Sequence, residues 1–222
     1  MKNYLLNSKF YTPIFDNFKK DLFHYNFLHV PFQVEIKKKI KKKSKSIKLL
    51  FVGKFIPRKN LLLLIKIFSR LINYYNLELY VVGEVSSKLH KNYLKLVRKE
   101  IVDRNISDKI IIIKNLRYKK IFKYYRLCDL LIMPSTKEPA SISVLESLGQ
   151  GTPVICSKNN GTSFYIKNKF NGLTFDDNNT EDLTKKILFL VKSKKKIYNL
   201  SQNSYEYFKK NNSKVFFNQF EK

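Results

Sequence analysis

Residues 129–157 read DLLIMPSTKEPASISVLESLGQGTPVICS. A short apolar run, DLLIMP at 129–134, opens this stretch, and a second, PVICS at 153–157, closes it. Between them a polar loop leads into residues 142–149, where apolar side chains recur at helical spacing, so the stretch is predicted to be one strand–loop–helix–strand unit. Neither run alternates with polar residues, which is how strands buried on both faces of a parallel sheet read. Toward the N-terminus the same pattern repeats with IKLLFV at 47–52, LELYVV at 77–82 and KIIIIK at 109–114. Helical patterns lie near 60–75, 87–103 and 117–127, with another at 181–192. That alternation predicts an α/β fold, a doubly wound parallel sheet of Rossmann-like form.

In such sheets ligands bind outside the carboxyl ends of the strands, where loops run into helix N-termini that offer free amide hydrogens. The loops in question are GKFIPRKN at 53–60, GEVSS at 83–87, NLRY at 115–118, STKEPASIS at 135–143 and KNNGTS at 158–163. In the first, Gly53 suits a tight turn, and Lys54, Arg58 and Lys59 precede a helix opening at Asn60. Cations beside free amides suit a diphosphate and can stabilise it as a leaving group without a metal. In the fourth, Glu138 comes before a helix that begins near Ser141 or Ser143, and Glu146 lies about a turn inside it. Both carboxylates can then face one cleft and accept hydrogen bonds from sugar hydroxyls. Each also has a plainer reading. Ser143 and Glu146 match a capping box, and Glu138 reads equally as a solvated loop charge beside Lys137.

A chain of 222 residues with 44% hydrophobic content buries one substantial core, so one domain with extra segments is expected. Lys and Arg number 44 against 17 Asp and Glu, a net charge of +27. Two sources fit that excess: a polyanionic partner, or the codon bias of an AT-rich genome that favours Lys, Asn, Ile and Tyr. Cys128 and Cys156 lie in apolar surroundings without a partner at redox or ligand spacing, and read as reduced core residues of a cytoplasmic protein. His24, His29 and His90 are scattered, so no metal site is expected. Leu61 to Ile67 is far shorter than the ~20 residues of a membrane span and is broken by Lys66. Met1 to Tyr11 lacks the apolar core of a signal peptide. Any membrane contact is therefore peripheral, and no motif points to specific nucleic-acid binding.

Four segments occur in order: FVGKFIPRKN at 51–60, VVG at 81–83, PSTKEPASISVLESLGQGTPVICS at 134–157 and NG at 171–172. Together they resemble the group 1 retaining glycosyltransferases of GT-B architecture. In that family Gly-Arg-x-x-x-x-Lys-Gly follows one strand. Pro-Ser-x-x-Glu-x-Phe-Gly, a second glutamate and Gly-x-Pro-Val come later. The resemblance implies that Lys59 holds the donor diphosphate, with Lys54 where arginine is usual, a change that keeps the charge and loses the bidentate fork. It implies that Glu138, with the backbone of Pro139, Ala140, Ser141 and Ile142, holds the transferred sugar, and that Glu146 binds the ribose hydroxyls. Gly53 and a turn at Gly83 border the site, and Leu116 faces the base. Glu138, Lys59 and Lys54 are the implied catalytic groups.

Several positions depart from the pattern. Asn60 replaces a glycine, Ala140 and Ser141 replace Phe-Gly, Val85 replaces a second glycine, and Phe164 stands where glutamate is frequent. A side chain at Ser141 or Val85 puts in question how closely the backbone approaches phosphate.

The implied activity is transfer of a hexose from a nucleotide diphosphate sugar to a saccharide or lipid-linked acceptor with retention, in cell-envelope or surface polysaccharide synthesis. No metal and no cofactor besides the donor is implied, and the chain lacks an Asp-x-Asp sequence. Residues 8–34, near FLHVPFQVE, look like the tail of the N-terminal domain of such an enzyme. The lysine-rich run from Ile36 to Lys48 then reads as the interdomain linker. The expected layout is residues 1–46 as remnant and linker, 47–194 as nucleotide-sugar-binding domain and 195–222 as C-terminal helices. On this layout a separately encoded N-terminal half is an expected partner, and a peripheral contact with anionic membrane at its inner face is another. The alternative is a non-catalytic nucleotide-sugar-binding subunit or a remnant.

Overall fold

The computed structural model describes residues 10–11, 28–29, 36–37, 44–177 and 179–210. Most of the expected domain tail over 8–34, and residues 38–43 of the expected linker, lie outside the described residues, while the last two linker residues, Ile47 and Lys48, already belong to a strand. Within the tail, strands β1 (Phe10–Tyr11) and β2 (Leu28–His29) pair in parallel.

The main sheet starts with β3 (Ile47–Lys54), whose residues alternate between two cores. Leu49 and Phe51 belong to one buried cluster, and Leu50 and Val52 to the other. A strand with no polar side in its middle can only sit between two layers of helices. On the first face pack α1 (Leu61–Leu71), α2 (Lys88–Asp103) and α5 (Thr180–Val191), which contribute Leu64, Phe68, Val97 and Ile187. On the second pack α3 (Tyr118–Leu127) and α4 (Ile142–Gly149), with Phe122, Tyr125, Leu145 and Leu148. A last helix, α6 (Lys194–Lys210), reaches both clusters through Ile197 and Phe208.

The other strands are β4 (Leu77–Glu84), β5 (Ile110–Lys114), β6 (Leu130–Met133), β7 (Val154–Ser157) and β8 (Gly172–Phe175). The six are all parallel and run in the order β5-β4-β3-β6-β7-β8. Strand order therefore reverses between β3 and β6, which creates a crevice at their carboxyl ends.

Three sequence expectations need correction. A strand at β8 was not expected; it is four residues long and opens on glycine, too short for a hydrophobic pattern. The helix expected over 60–75 ends at Leu71. The C-terminal helices expected over 195–222, which need no correction, are described as far as 210, as α6, and the remainder lies outside the described residues. Finally, Gly53 and Gly83 mark no turns: both lie within strands and pair with each other in register. Their missing side chains serve another purpose. A Cβ on Gly83 would come within 2.3 Å of the Phe55 ring, and one on Gly53 within 3.3 Å of the Lys59 stem. The two glycines thus let Phe55 and Lys59 lie across the end of the sheet.

Candidate functional site

Because β3 and β6 are neighbours, with Leu49 opposite Leu130, the chain leaving each strand emerges side by side. After β3, Pro57–Lys59 forms a short 3-10 turn, which proline suits because its φ is already fixed. This turn delivers Arg58 and Lys59 to the loop that follows β6. The main chains are joined where the Thr136 N–H donates to the Arg58 carbonyl at 3.0 Å. The side chains are joined at Glu138, whose Oε2 accepts from Lys59 Nζ at 2.6 Å and from Arg58 NH1 at 2.8 Å. The Glu138 side chain is only 6% exposed and that of Lys59 only 12%. Glu138 is therefore a buried carboxylate between two cations and not a solvated loop charge. Removing either partner from such a cluster leaves an uncompensated charge. One carboxylate facing two cations also leaves a positive excess at the crevice.

A third loop straps the second. The Gly161 N–H donates to the Glu138 carbonyl at 3.0 Å, and a Cβ on Gly161 would meet the Pro139 carbonyl oxygen at 1.8 Å. Lys137, just before Glu138, has φ 47°, a left-handed conformation that a lysine adopts only when its surroundings hold it there. Asn60 also has φ 58° and Asn115 φ 51°. Asparagine tolerates this region better than most residues, so Asn60 meets the backbone requirement of the glycine it replaces. Asn115 does more: its side chain accepts from the Val85 N–H at 2.7 Å and donates to the Val85 carbonyl at 3.2 Å. The loops after β4 and β5 are clamped at Val85. Ser141, at φ −112°, is extended and needs no glycine.

Around the Glu138 loop three buried polar atoms have no hydrogen-bond partner among the described residues: Ser135 Oγ, Ser141 Oγ and Asn160 Nδ2. An unmet buried group costs about 1–3 kcal/mol, so these atoms are suited to a polar, hydroxyl-rich ligand.

The capping box expected at Ser143 and Glu146 is not formed. The helix begins one residue after Ser141, which places Ser143 inside it, and the Ser141 side chain makes no cap bond. Glu146 is 3% exposed. Its Oε1 accepts from the Tyr118 hydroxyl at 2.5 Å and its Oε2 from the Tyr125 hydroxyl at 2.8 Å. Burial, and then the Glu146 charge, push the Tyr125 phenol well above its ordinary pKa, so it stays a donor.

The fold thus gathers Lys59, Glu138, Pro139, Ala140, Ser141 and Ile142 at the start of α4. Glu146 is held apart by α3. Lys54 pairs at 3.7 Å with Glu84 on β4, both half-exposed, which is worth little in water. Leu116 is partly buried against the second core. Asn160 and Tyr118 were given no role on sequence, and Arg58 was read as one of three cations suited to a diphosphate but not as a partner of Glu138.

Among the described residues no group of His, Cys, Asp or Glu is placed to hold a metal ion. No described helix is long and apolar enough to cross a membrane. Cys128 and Cys156 are buried. A cavity of about 330 Å³, lined by Ile72, Tyr74, Asn76, Leu77 and Lys109, opens at the opposite, amino end of the strands and shares no residue with the loops above.

The family described as glycosyl transferases group 1 matches residues 32–210. Among curated relatives, an uncharacterized glycosyltransferase of Methanocaldococcus jannaschii is 28% identical over 161 residues, which is 72% of this chain and 43% of the relative. The chain thus spans less than half the length of that relative. Among solved structures, sucrose-phosphate synthase from Thermosynechococcus elongatus superposes with a TM-score of 0.80 at 17% identity, over 96% of this chain and 57% of that one. The C-terminal domain of a group 1 glycosyl transferase from Francisella tularensis gives 0.67 at 21% identity, over 73% of this chain and 84% of that one. At these identities the two structures establish the fold.

Proposed function

We propose, for a chain that belongs to the group 1 glycosyl transferases, that the described residues bind the donor for transfer of a hexose from a nucleotide diphosphate sugar, with retention at the anomeric carbon. The observation that carries this reading is the cluster of Arg58, Lys59 and Glu138 where strand order reverses. A diphosphate entering there meets two cations and the N-terminal amides of α4. As the bond to the sugar breaks, negative charge grows on the leaving phosphate, and preorganised cations stabilise that charge more than the ground state. No metal step is needed. The cations then share their charge between phosphate and Glu138, whose carboxylate accepts hydrogen bonds from the sugar hydroxyls. Glu146 accepts from the ribose.

In this reading the acceptor, a saccharide or a lipid-linked saccharide, is held by a second α/β half facing these loops. The reading also locates the protein at the cytoplasmic face of a membrane. Lys109, Lys114, Arg117, Lys119, Lys120 and Lys123 form a run without an acidic residue, and each basic residue near an anionic surface contributes about 1 kcal/mol. Sedimentation with anionic vesicles at low salt is expected, and its absence there removes the membrane proposal.

The donor-site reading is tested by titrating the full chain with UDP-, GDP- and ADP-glucose, followed by saturation-transfer NMR. Lys59→Met is expected to weaken the bound donor at least tenfold. Unchanged affinity in a variant with an unchanged thermal melt would sink the assignment.

A further inference from the structure

Glu146 is a buried carboxylate with a phenol on each oxygen, and the two phenols are not alike. Tyr125 is fully buried in the last turn of α3 and stacks edge-on against Phe122, with ring centroids 6.0 Å apart. Tyr118 is the first residue of α3 and 64% exposed, yet its hydroxyl reaches inward to Glu146. Its ring touches Phe122 edge-on at 5.5 Å. The residue before it, Arg117, makes no side-chain cap. One oxygen of Glu146 thus bonds a fully buried phenol, and the other bonds the phenol of a largely exposed residue.

We infer that Tyr118 is a displaceable cover on Glu146 that every nucleotide must lift to reach the carboxylate. Its phenol holds the carboxylate oxygen that a ribose hydroxyl takes on binding, and ligand entry exchanges one O–H donor for another. This rests on the ribose role of Glu146 proposed above. The exchange is nearly neutral for a ligand that brings a hydroxyl, because the number of hydrogen bonds on Glu146 is conserved. A ligand without ribose hydroxyls leaves a buried carboxylate oxygen unmet, and sites built around a hydroxyl reject analogues lacking it strongly. Tyr118 therefore lowers affinity for every nucleotide by the strength of one hydrogen bond, while Glu146 restores it only to ribonucleotides. Tyr125 plays no part in the exchange and keeps Glu146 oriented.

The test is calorimetric titration of the full chain, wild type and variants, with UDP, GDP and ADP and with the 2′,3′-dideoxy counterpart of whichever binds most tightly. Tyr118→Phe keeps the ring on Phe122 and removes only the hydroxyl. It is expected to tighten the ribonucleotide about three- to tenfold, the worth of one hydrogen bond, and Tyr125→Phe to weaken it. In a sample with isotope-labelled tyrosine rings, the signal missing from the Tyr118→Phe spectrum is expected to shift when nucleotide is added to wild type. Unchanged or weaker binding by Tyr118→Phe, or a Tyr118 signal that stays in place at saturation, overturns the inference. If Glu146→Gln also leaves ribonucleotide affinity unchanged, the ribose role of Glu146 has failed as well. If Glu146→Gln weakens binding while Tyr118→Phe does not tighten it, only the cover has failed.

Discussion

Gly161 lies so close to Pro139 that a Cβ on the glycine would sit 1.8 Å from the Pro139 carbonyl oxygen. The obstructing atom is main chain and cannot rotate away. Through this contact the loop after β7 sets the height of the loop that carries Glu138.

Gly161→Ala must therefore push the two loops apart. Overpacking of this kind costs about 1–3 kcal/mol, and the Gly161 hydrogen bond to the Glu138 carbonyl is lost with it. The expected result is a lower thermal midpoint together with weaker nucleotide-sugar binding. A variant with the wild-type midpoint and affinity would show that Glu138 does not depend on this strap.

Asn60 should show its backbone requirement through substitution. Its φ is 58°, and its side chain makes no cap hydrogen bond to α1. Asn60→Gly is expected to leave stability within a few tenths of a kcal/mol, while Asn60→Ala loses about 1 kcal/mol, because a left-handed conformation is costly for alanine. In a chain of this size that loss is about 2–4 °C in thermal midpoint. Equal midpoints for the two variants would contradict a left-handed residue at this position.

Acid sensitivity follows from the opening residues of β3 and β4. Hydrogen bonds from Lys48, at 2.6 Å, and from Ser46 hold the Glu78 carboxyl below its ordinary value of 4.5. Burial alone would lower the Lys48 ammonium pKa, but Glu78 and Tyr80 together raise it. For Glu78 the folded value lies below the unfolded one, so its contribution is complete above the unfolded value and is lost as pH falls through the folded value. For Lys48 the sign is opposite, and its contribution fades in strong alkali. Glu78→Gln is accordingly expected to be less stable than wild type near neutrality and to lose stability less steeply below about pH 4.5. Denaturant midpoints across pH check this, and parallel acid limbs for the two proteins would disprove it.

Strands β3 to β7 were legible because each holds a short apolar run without strict polar alternation, a pattern that suits a strand between two layers of helices. Both glycines were misread for a physical reason: a turn and a steric gap call for the same residue, and only the in-register pairing of Gly53 with Gly83 distinguishes them. The Ser143–Glu146 spacing fits a cap only if the helix starts at Ser143, and it starts at Ile142. The cluster of Arg58 and Lys59 with Glu138 joins residues about 80 apart in the chain, and nothing local announces it. Each half looks like an ordinary surface charge until strand order sets β6 against β3. Asn60 was legible as a departure from glycine, but its left-handed backbone and that of Asn115 required coordinates.

The reversal of strand order also affects how the protein is made. While residues up to Lys114 emerge from a ribosome, β3, β4 and β5 can pair through short crossovers. The far flank of β3 then stays open until Leu130 and Leu131 have been synthesised. An unpaired strand edge is a template for misassembly. The segment that closes it also carries the Glu138 loop, so donor binding reports that the last long-range pairing of the nascent chain has been completed.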